Sequence, residues 1–365
     1  MSLFGVFVET LEAVLPHPNA DKLELGKLVG IGYQFVIEKG KYKPGDKVIY
    51  IPEDAICDEA LLTKLNLVGK LAGAAKNRVK AIKLRGQVSQ GIVASLNVLH
   101  EYGYHDPGEV NLTTGAKVNW ADTLGVTKYD PEVQGGGGPN NPARTCSLPS
   151  GVHVYDLENS ERYGDVVQQL LHSNVGVFVT EKLEGSHAIL HSVVGEPLKV
   201  CTRRTTLESD ESNWHTGIKN SRLEESLVKL REICKDKDAT ITLRGELIGP
   251  GVQSNIYGLS QHEVRIFDVQ MNGQYVDSKL LFDVFVASGV FAKHQLVPLL
   301  FIGHLSEYLN GKSLREVSNG NTALTSKAVL REGIVVKPAT EMSHPNLGRL
   351  VLKQRSPEYL AESKL

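Results

Sequence analysis

Short apolar runs broken by turn residues fill the first third of the chain: KLELGKLVGIG, YQFVIEKG, KPGDKVIYIP, NRVKAIKLRG and GIVASL follow one another. Runs of this length, rich in β-branched residues and bounded by Gly and Pro, predict strands. Farther on the period changes. Over 221–235, SRLEESLVKLREICK sets Leu223, Leu227, Leu230 and Ile233 at helical spacing, with Ser221 as the expected N-cap and Glu224 three residues on. That pattern predicts an amphipathic helix. Strands return in VGVFVTE, ATITLRGELIG, REGIVVKP and GRLVLKQRS, and Asn272-Gly273 between the apolar runs of VRIFDVQMNGQYVD signals a hairpin.

The two patterns meet at YDPEVQGGGGPNNPARTCSLPSG, where Gly135 to Gly138 precede Pro139, Pro142 and Pro149. The tetraglycine has no strand leading in and no G-K-[ST] after it, so it reads as a flexible linker and not as a phosphate-cradling loop. The expected organisation is a strand-rich domain over 1–128, a linker over 129–150 and an α+β domain over 151–365. Short, closely spaced strands suggest that the first is a small closed sheet of the OB type. A chain of 365 residues is long enough for two cores.

Charge narrows the picture. A net charge of −2 excludes a globally basic protein, so any nucleic-acid contact must come from local cations. Lys76, Arg78 and Lys80 alternate along one stretch, with Lys83 and Arg85 after them; an extended segment would put the first three on one side. Such a row is either a solvated strand face or a track for a phosphate backbone. The cysteines, Cys57, Cys146, Cys201 and Cys234, form no C-x-x-C pair, which argues against a zinc site and a disulfide framework. No apolar run is long enough to span a bilayer, and the first residues lack a signal-peptide pattern, so an intracellular protein without membrane contact is expected.

The stretch FVTEKLEGSHAIL, 178 to 190, runs from an apolar strand directly into Glu181, Lys182, Glu184 and Gly185. Three more strand-like segments carry charge in an apolar frame: Arg244 with Glu246, Glu332 with Lys337, and Lys353 with Arg355. Each alone reads as a solvated strand face. Together, lysines suited to phosphoryl oxygens and carboxylates suited to a divalent cation describe a phosphate-and-metal site.

At this point the residues resemble a known superfamily. Lys182-Leu183-Glu184-Gly185 is similar to motif I of the covalent nucleotidyltransferases, and CTRRTT at 201–206 to motif Ia. RGELIGPG at 244–251 resembles motif III, RIFDV at 265–269 motif IIIa, EGIVVK at 332–337 motif IV and LVLKQRS from 350 motif V, in the family's order. Within the superfamily, VYDLENSERY, the G-E-L-I-G-P-G form and the KQRSPEYLAESK ending resemble ATP-dependent RNA ligases. DNA ligases and capping guanylyltransferases carry an OB domain after motif V. Here ten residues follow Arg355, and the OB-like part comes first, as in the RNA-ligase group with an amino-terminal OB domain.

The resemblance implies an OB-like barrel followed by an α+β nucleotidyltransferase domain of the ATP-grasp-like ligase type. It implies ATP as substrate, Mg²⁺ or Mn²⁺ as cofactor, and RNA as partner: a nicked duplex, broken ends or an RNA/DNA hybrid, joined by a monomer. Lys182 would be the nucleophile. Glu181, Arg204, Glu246, Phe267, Glu332, Lys337, Lys353 and Arg355 would join it in binding ATP or AMP. Glu184, Glu246 and Glu332 would hold the metal, although the family often has Asp where Glu184 stands. Arg203, Lys80, Lys83 and Arg85 would contact nucleic acid, and Arg203 and Arg204 compete for the motif Ia role. His187 and Arg162 sit where some relatives contact substrate or phosphate. The alternatives are a DNA ligase, a capping-type guanylyltransferase and a catalytically dead RNA-binding relative.

Overall fold

The computed structural model describes residues 4–105, 107, 117–129, 144–154, 156–345 and 347–362. The tetraglycine and most of the expected linker lie outside the described residues. The chain forms two compact units, one within 3–137, 160–167 and 360–365, the other within 138–159 and 168–359.

The first unit is built on β1 (Phe7–Pro16), β2 (Leu23–Leu28), β3 (Ile31–Glu38), β4 (Lys47–Ile51), β5 (Ala55–Cys57), β6 (Ile82–Leu84), β7 (Gln87–Ser89), β8 (Ile92–Ser95) and β9 (Val126–Lys128). Its main sheet is antiparallel in the order β3-β2-β1-β4-β8. The long β1 pairs with β4 through Phe7 to Thr10 and with β2 from Leu11 onward, with an irregularity between Leu11 and Ala13. Such a break lets one strand bend and serve both halves of a curled sheet, the arrangement of an OB fold. Strand β4 is buried on both faces: Val48 and Tyr50 join Leu28, Tyr33 and Phe35, while Ile49 and Ile51 join Val8, Leu61 and Leu124.

The cationic stretch is not one strand. Lys76 has φ +53° and sits in a turn, while Arg78 ion-pairs with Asp54 and stacks 3.4 Å from the centroid of the Tyr129 ring. Lys83 is exposed on β6, and Arg85, at φ +48°, makes the turn to β7 with Gly86. A left-handed turn on either side of Arg78 breaks the alternation that a continuous strand would have kept. Arg162, expected with the second domain, belongs to the first unit. Its guanidinium lies 6.0 Å from the Tyr33 ring centroid, and the neighbouring Glu161 accepts from Gln90 Nε2 at 3.3 Å.

The second unit contains β10 (Arg144–Ser147), β11 (Glu158–Asn159), β12 (Gly176–Lys182), β13 (Ser186–Ser192), β14 (Lys199–Cys201), β15 (Thr205–Leu207), β16 (Ile241–Ile248), β17 (Glu263–Met271), β18 (Gln274–Tyr275), β19 (Leu299–His304), β20 (Gly333–Pro338), β21 (Ser343–His344), β22 (Gly348–Arg349) and β23 (Leu352–Arg355). One sheet runs β10-β15-β14-β13-β16-β17-β18, the other β11-β23-β20-β12-β19. They share a core in which Phe178 of β12 meets Leu190, Leu243, Ile266 and Val269 of the larger sheet. The helix expected from 221 is Leu223–Ile233, and Leu223, Leu227 and Leu230 are buried as its period requires. Its N-cap is Arg222, in the left-handed region, and Ile233 is exposed. Ser221 instead ends the preceding helix, Asn213–Asn220, and its hydroxyl accepts from Val264 N at 2.8 Å. The hairpin at Asn272-Gly273 forms, both residues having positive φ.

Candidate active site

Lys182 is the last residue of β12, where the strand leaves the buried sheet. The antiparallel register against β20 sets it opposite Gly333, so that Glu332, just before β20, meets it: Lys182 Nζ lies 2.5 Å from Glu332 Oε2. The close approach needs bare backbone. A Cβ at Gly333 would stand 2.1 Å from Gln354 O, and one at Gly185 would stand 2.3 Å from Leu247 O and 2.7 Å from Glu246 Cγ. Gly185 thus lets the turn after Lys182 run beside Glu246 of β16.

Lys182 opens on a cavity of about 260 Å³, whose lining includes Glu181, His187, Arg203, Glu246, Phe267, Lys337 and Lys353. Sequence segments as distant as 156, 203, 267 and 353 meet here because inner strands of both sheets, β13, β16 and β17 of one and β12, β20 and β23 of the other, line it. On β23, Lys353 and Arg355 occupy the half-buried positions of an alternating pattern and so share a face. Lys353 reaches the cavity, and Arg355 Nε lies 3.7 Å from Glu332 Oε1. Of the two motif Ia arginines, Arg203 lines the cavity, ion-paired with Asp156, and Arg204 does not. Arg162 is likewise absent from the lining.

The electrostatics are those of a site built for an anion with a counter-cation. Burial pushes the Glu246 carboxyl up to about 8, with Glu332 adding to the rise while Lys182 and Arg203 oppose it. Burial also raises Glu181, whose Oε2 accepts from Ala323 N at 2.8 Å. It drives His187 down to about 3, helped by Arg244, and that ring meets Phe267 edge-on at 5.4 Å. Arg244 itself, fully buried, serves the fold: Nε donates to Gln270 Oε1 at 2.9 Å and Nη2 to His153 O at 2.8 Å.

Glu184 departs from the expected metal trio. Its Oε1 accepts from Ser254 N at 2.9 Å and its Oε2 from Tyr359 OH at 2.7 Å, while its own N–H donates to Tyr257 OH at 2.6 Å. Among the described residues no group of three or more His, Cys, Asp or Glu is arranged to hold a metal ion. What remains is the Glu246–Glu332 pair beside Lys182. Magnesium commonly takes one or two carboxylates and completes its shell with water and phosphate oxygens. Burial favours the neutral Glu246 carboxyl, and a divalent cation beside it would favour the carboxylate, so this pair fits one.

Sequence reading missed Asp156, Asp268 and Arg349. Asp268 sits at the end of RIFD, and a carboxylate in an otherwise apolar strand was the available signal. It accepts from Lys337 Nζ at 2.7 Å.

Residues 176–355 match the model of the RNA ligase family, and residues 6–96 match the PHA02142 OB-fold domain. No curated protein matches the chain. Among solved structures, Naegleria gruberi RNA ligase with PPi is 21% identical, with TM-score 0.75 and 99% of each chain covered. A glutamate-to-alanine mutant of it with ATP and Mn has the same identity and TM-score, covering 99% of this chain and 100% of that one. A lysine-to-methionine mutant with AMP and Mn gives 21%, 0.74 and 98% of each. At this identity the likeness is one of fold. No helix among the described residues is long and apolar enough to cross a membrane.

Proposed function

We propose, from the match of residues 176–355 to the RNA ligase family, that the chain joins RNA 3′-hydroxyl and 5′-phosphate ends at the expense of ATP, through a lysyl-AMP on Lys182. The observation that carries this reading is Lys182 at the mouth of a cavity ringed by cations and carboxylates, 2.5 Å from Glu332 Oε2. The structural relatives whose names mention ATP, AMP and Mn support a nucleotide and a divalent metal for this chain as well.

In the first step Lys182 Nζ attacks the α-phosphorus. A P–N bond forms, the bond to the bridging oxygen breaks, and pyrophosphate leaves. Attack needs the neutral amine, which a free lysine, with a pKa near 10.4, rarely offers at neutral pH. Glu332 Oε2 is the nearest carboxylate to take the proton that Nζ gives up. A divalent cation held by Glu246 and Glu332 would neutralise phosphoryl charge as it shifts to the leaving group. Phe267, with His187 at its edge, offers the aromatic face for adenine, and Glu181 sits at the same wall. Lys337, Lys353 and Arg203 supply positive charge for phosphate oxygens, with Arg355 behind them on Glu332. AMP then passes to the RNA 5′-phosphate, and the 3′-hydroxyl displaces it to close the phosphodiester. The OB unit would contribute Lys80, Lys83 and Arg85 to the RNA backbone.

The reading is tested by offering the protein a 5′-phosphorylated RNA with a 3′-hydroxyl neighbour, held in a nick or left as free ends, with ATP or GTP. Sealing with ATP alone, dependent on an RNA 3′-hydroxyl strand, is expected. Sealing of DNA strands alone, or nucleotidyl transfer with GTP alone, would overturn it.

A further inference from the structure

Lys337 lines the cavity yet is only 2% exposed. One of its ammonium hydrogens goes to Phe267 O and another to Asp268 Oδ1, which leaves the third for a ligand in the cavity. Asp268 does not answer to Lys337 alone. Arg349 grips both its oxygens, Nη1 to Oδ2 at 2.7 Å and Nη2 to Oδ1 at 2.8 Å. Arg349 is itself held from the other side, Nε to Glu341 Oε2 at 2.7 Å and Nη2 to Glu341 Oε1 at 2.6 Å, and the Tyr275 ring centroid lies 3.7 Å from its guanidinium carbon. Neither Arg349 nor Glu341 nor Tyr275 lines the cavity.

We propose that Arg349 is a positioning residue for the nucleotide step: by sharing the Asp268 carboxylate it keeps Lys337 pinned in place while leaving the lysine's charge available to an anionic nucleotide. The inference rests on the adenylyl-transfer reading of the cavity. A buried Lys–Asp pair left to itself is neutral and spends its field internally. A second cation on the same carboxylate restores a net positive charge on the cavity side, and the fork of Arg349 does so while Glu341 balances it from behind. Only a planar guanidinium can face two carboxylates with paired donors in this way.

Charge follows the same logic. Burial lowers the Lys337 ammonium, Asp268 opposes that, and Arg349 lowers it further. Burial would raise Asp268, but Lys337 and Arg349 together hold it far below the usual carboxylate range. The groups facing Lys337 are Asp268 on β17, Arg349 on β22 and Glu341 ahead of β21, with Lys182, Glu246 and Lys353 across the cavity. Removing Arg349 must therefore raise the lysine's titration and slacken its aim.

The test uses the full chain with Mg²⁺ and follows KM for ATP and kcat of lysyl-AMP formation across pH, with melting temperature alongside, for wild type, Arg349→Met, Arg349→Lys and Glu341→Gln. Arg349→Met is expected to raise KM by about tenfold, the scale of one charged hydrogen bond, with a smaller change in kcat and an alkaline limb moved to higher pH. Arg349→Lys restores the limb and only part of the KM. Glu341→Gln loosens the fork of Arg349 and is expected to raise KM less than Arg349→Met does, with an alkaline limb moved the other way, to lower pH, because the Glu341 charge raises the lysine's titration; it decides the matter if Arg349→Met does not fold. An unchanged KM and alkaline limb in the folded variants, or a melting-temperature loss with the limb unmoved, would overturn the proposal. If wild type forms no lysyl-AMP, the functional reading fails. Equilibrium binding of ATP to wild type and Arg349→Met then still decides the role of Arg349, weaker binding by the variant supporting it and equal binding overturning it.

Discussion

Lys182 and Glu332 stand 150 positions apart in the chain, and their side chains meet at 2.5 Å because β12 and β20 pair in a register that leaves no slack. A one-residue slip would turn Lys182 to the other face of the sheet. Replacing Glu332 with Gln keeps the shape and removes both the charge and the proton acceptor. The rate of lysyl-AMP formation should then fall by roughly 10²-fold or more, the range for a general acid–base group. Single-turnover kinetics with excess enzyme measure it directly.

Glu184 gives a contrasting expectation. Its oxygens are occupied by Ser254 N and Tyr359 OH, so Glu184→Ala should cost about 1–3 kcal/mol by removing both hydrogen bonds, and Tyr359→Phe about 1 kcal/mol. Thermal denaturation reads both. Tyr359→Phe should still form lysyl-AMP. A Glu184→Gln variant with unchanged melting temperature and no adenylation would instead make this carboxylate a metal ligand.

His187 predicts a pH dependence of stability. Its folded value near 3 lies below the ordinary value of about 6.5. Below about 6.5 the unfolded chain binds a proton that the folded chain refuses, so this residue contributes a loss of stability as pH falls from about 6.5 toward about 3. His187→Gln should flatten that part of the curve, as measured by denaturant unfolding at a series of pH values. An unchanged slope would mean that the ring is not buried as described.

Much of the site is legible in the sequence because strands that end on charge are conspicuous: Lys182, Glu246, Lys337 and Lys353 each interrupt an apolar run, and all four meet around one cavity. What stayed hidden depends on partners remote in the chain. Glu184 looks like a solvated or metal-holding carboxylate until Tyr359 is brought to it. Ser221 has the right spacing for an N-cap, but the chain spends that hydroxyl on Val264 and starts the helix from a left-handed Arg222. The row from Lys76 to Lys80 alternates correctly for a strand, and the turn at Lys76 and the Asp54 ion pair of Arg78 undo it.

The cations left at the surface of the OB unit carry the fourth expectation. Lys83 and Arg85 are exposed and Lys80 half-buried. Neutralising the three together should weaken RNA binding, lower the salt slope by about one for each phosphate no longer neutralised, and slow sealing while sparing lysyl-AMP formation. Loss of adenylation as well would assign them a structural role.

The most direct test of the account is covalent labelling. Incubation with α-labelled ATP and Mg²⁺, followed by peptide mapping, should place a single acid-labile AMP on Lys182, and Lys182→Met should carry none while keeping the wild-type melting temperature. An unlabelled wild-type protein, or label that persists in Lys182→Met, would contradict it.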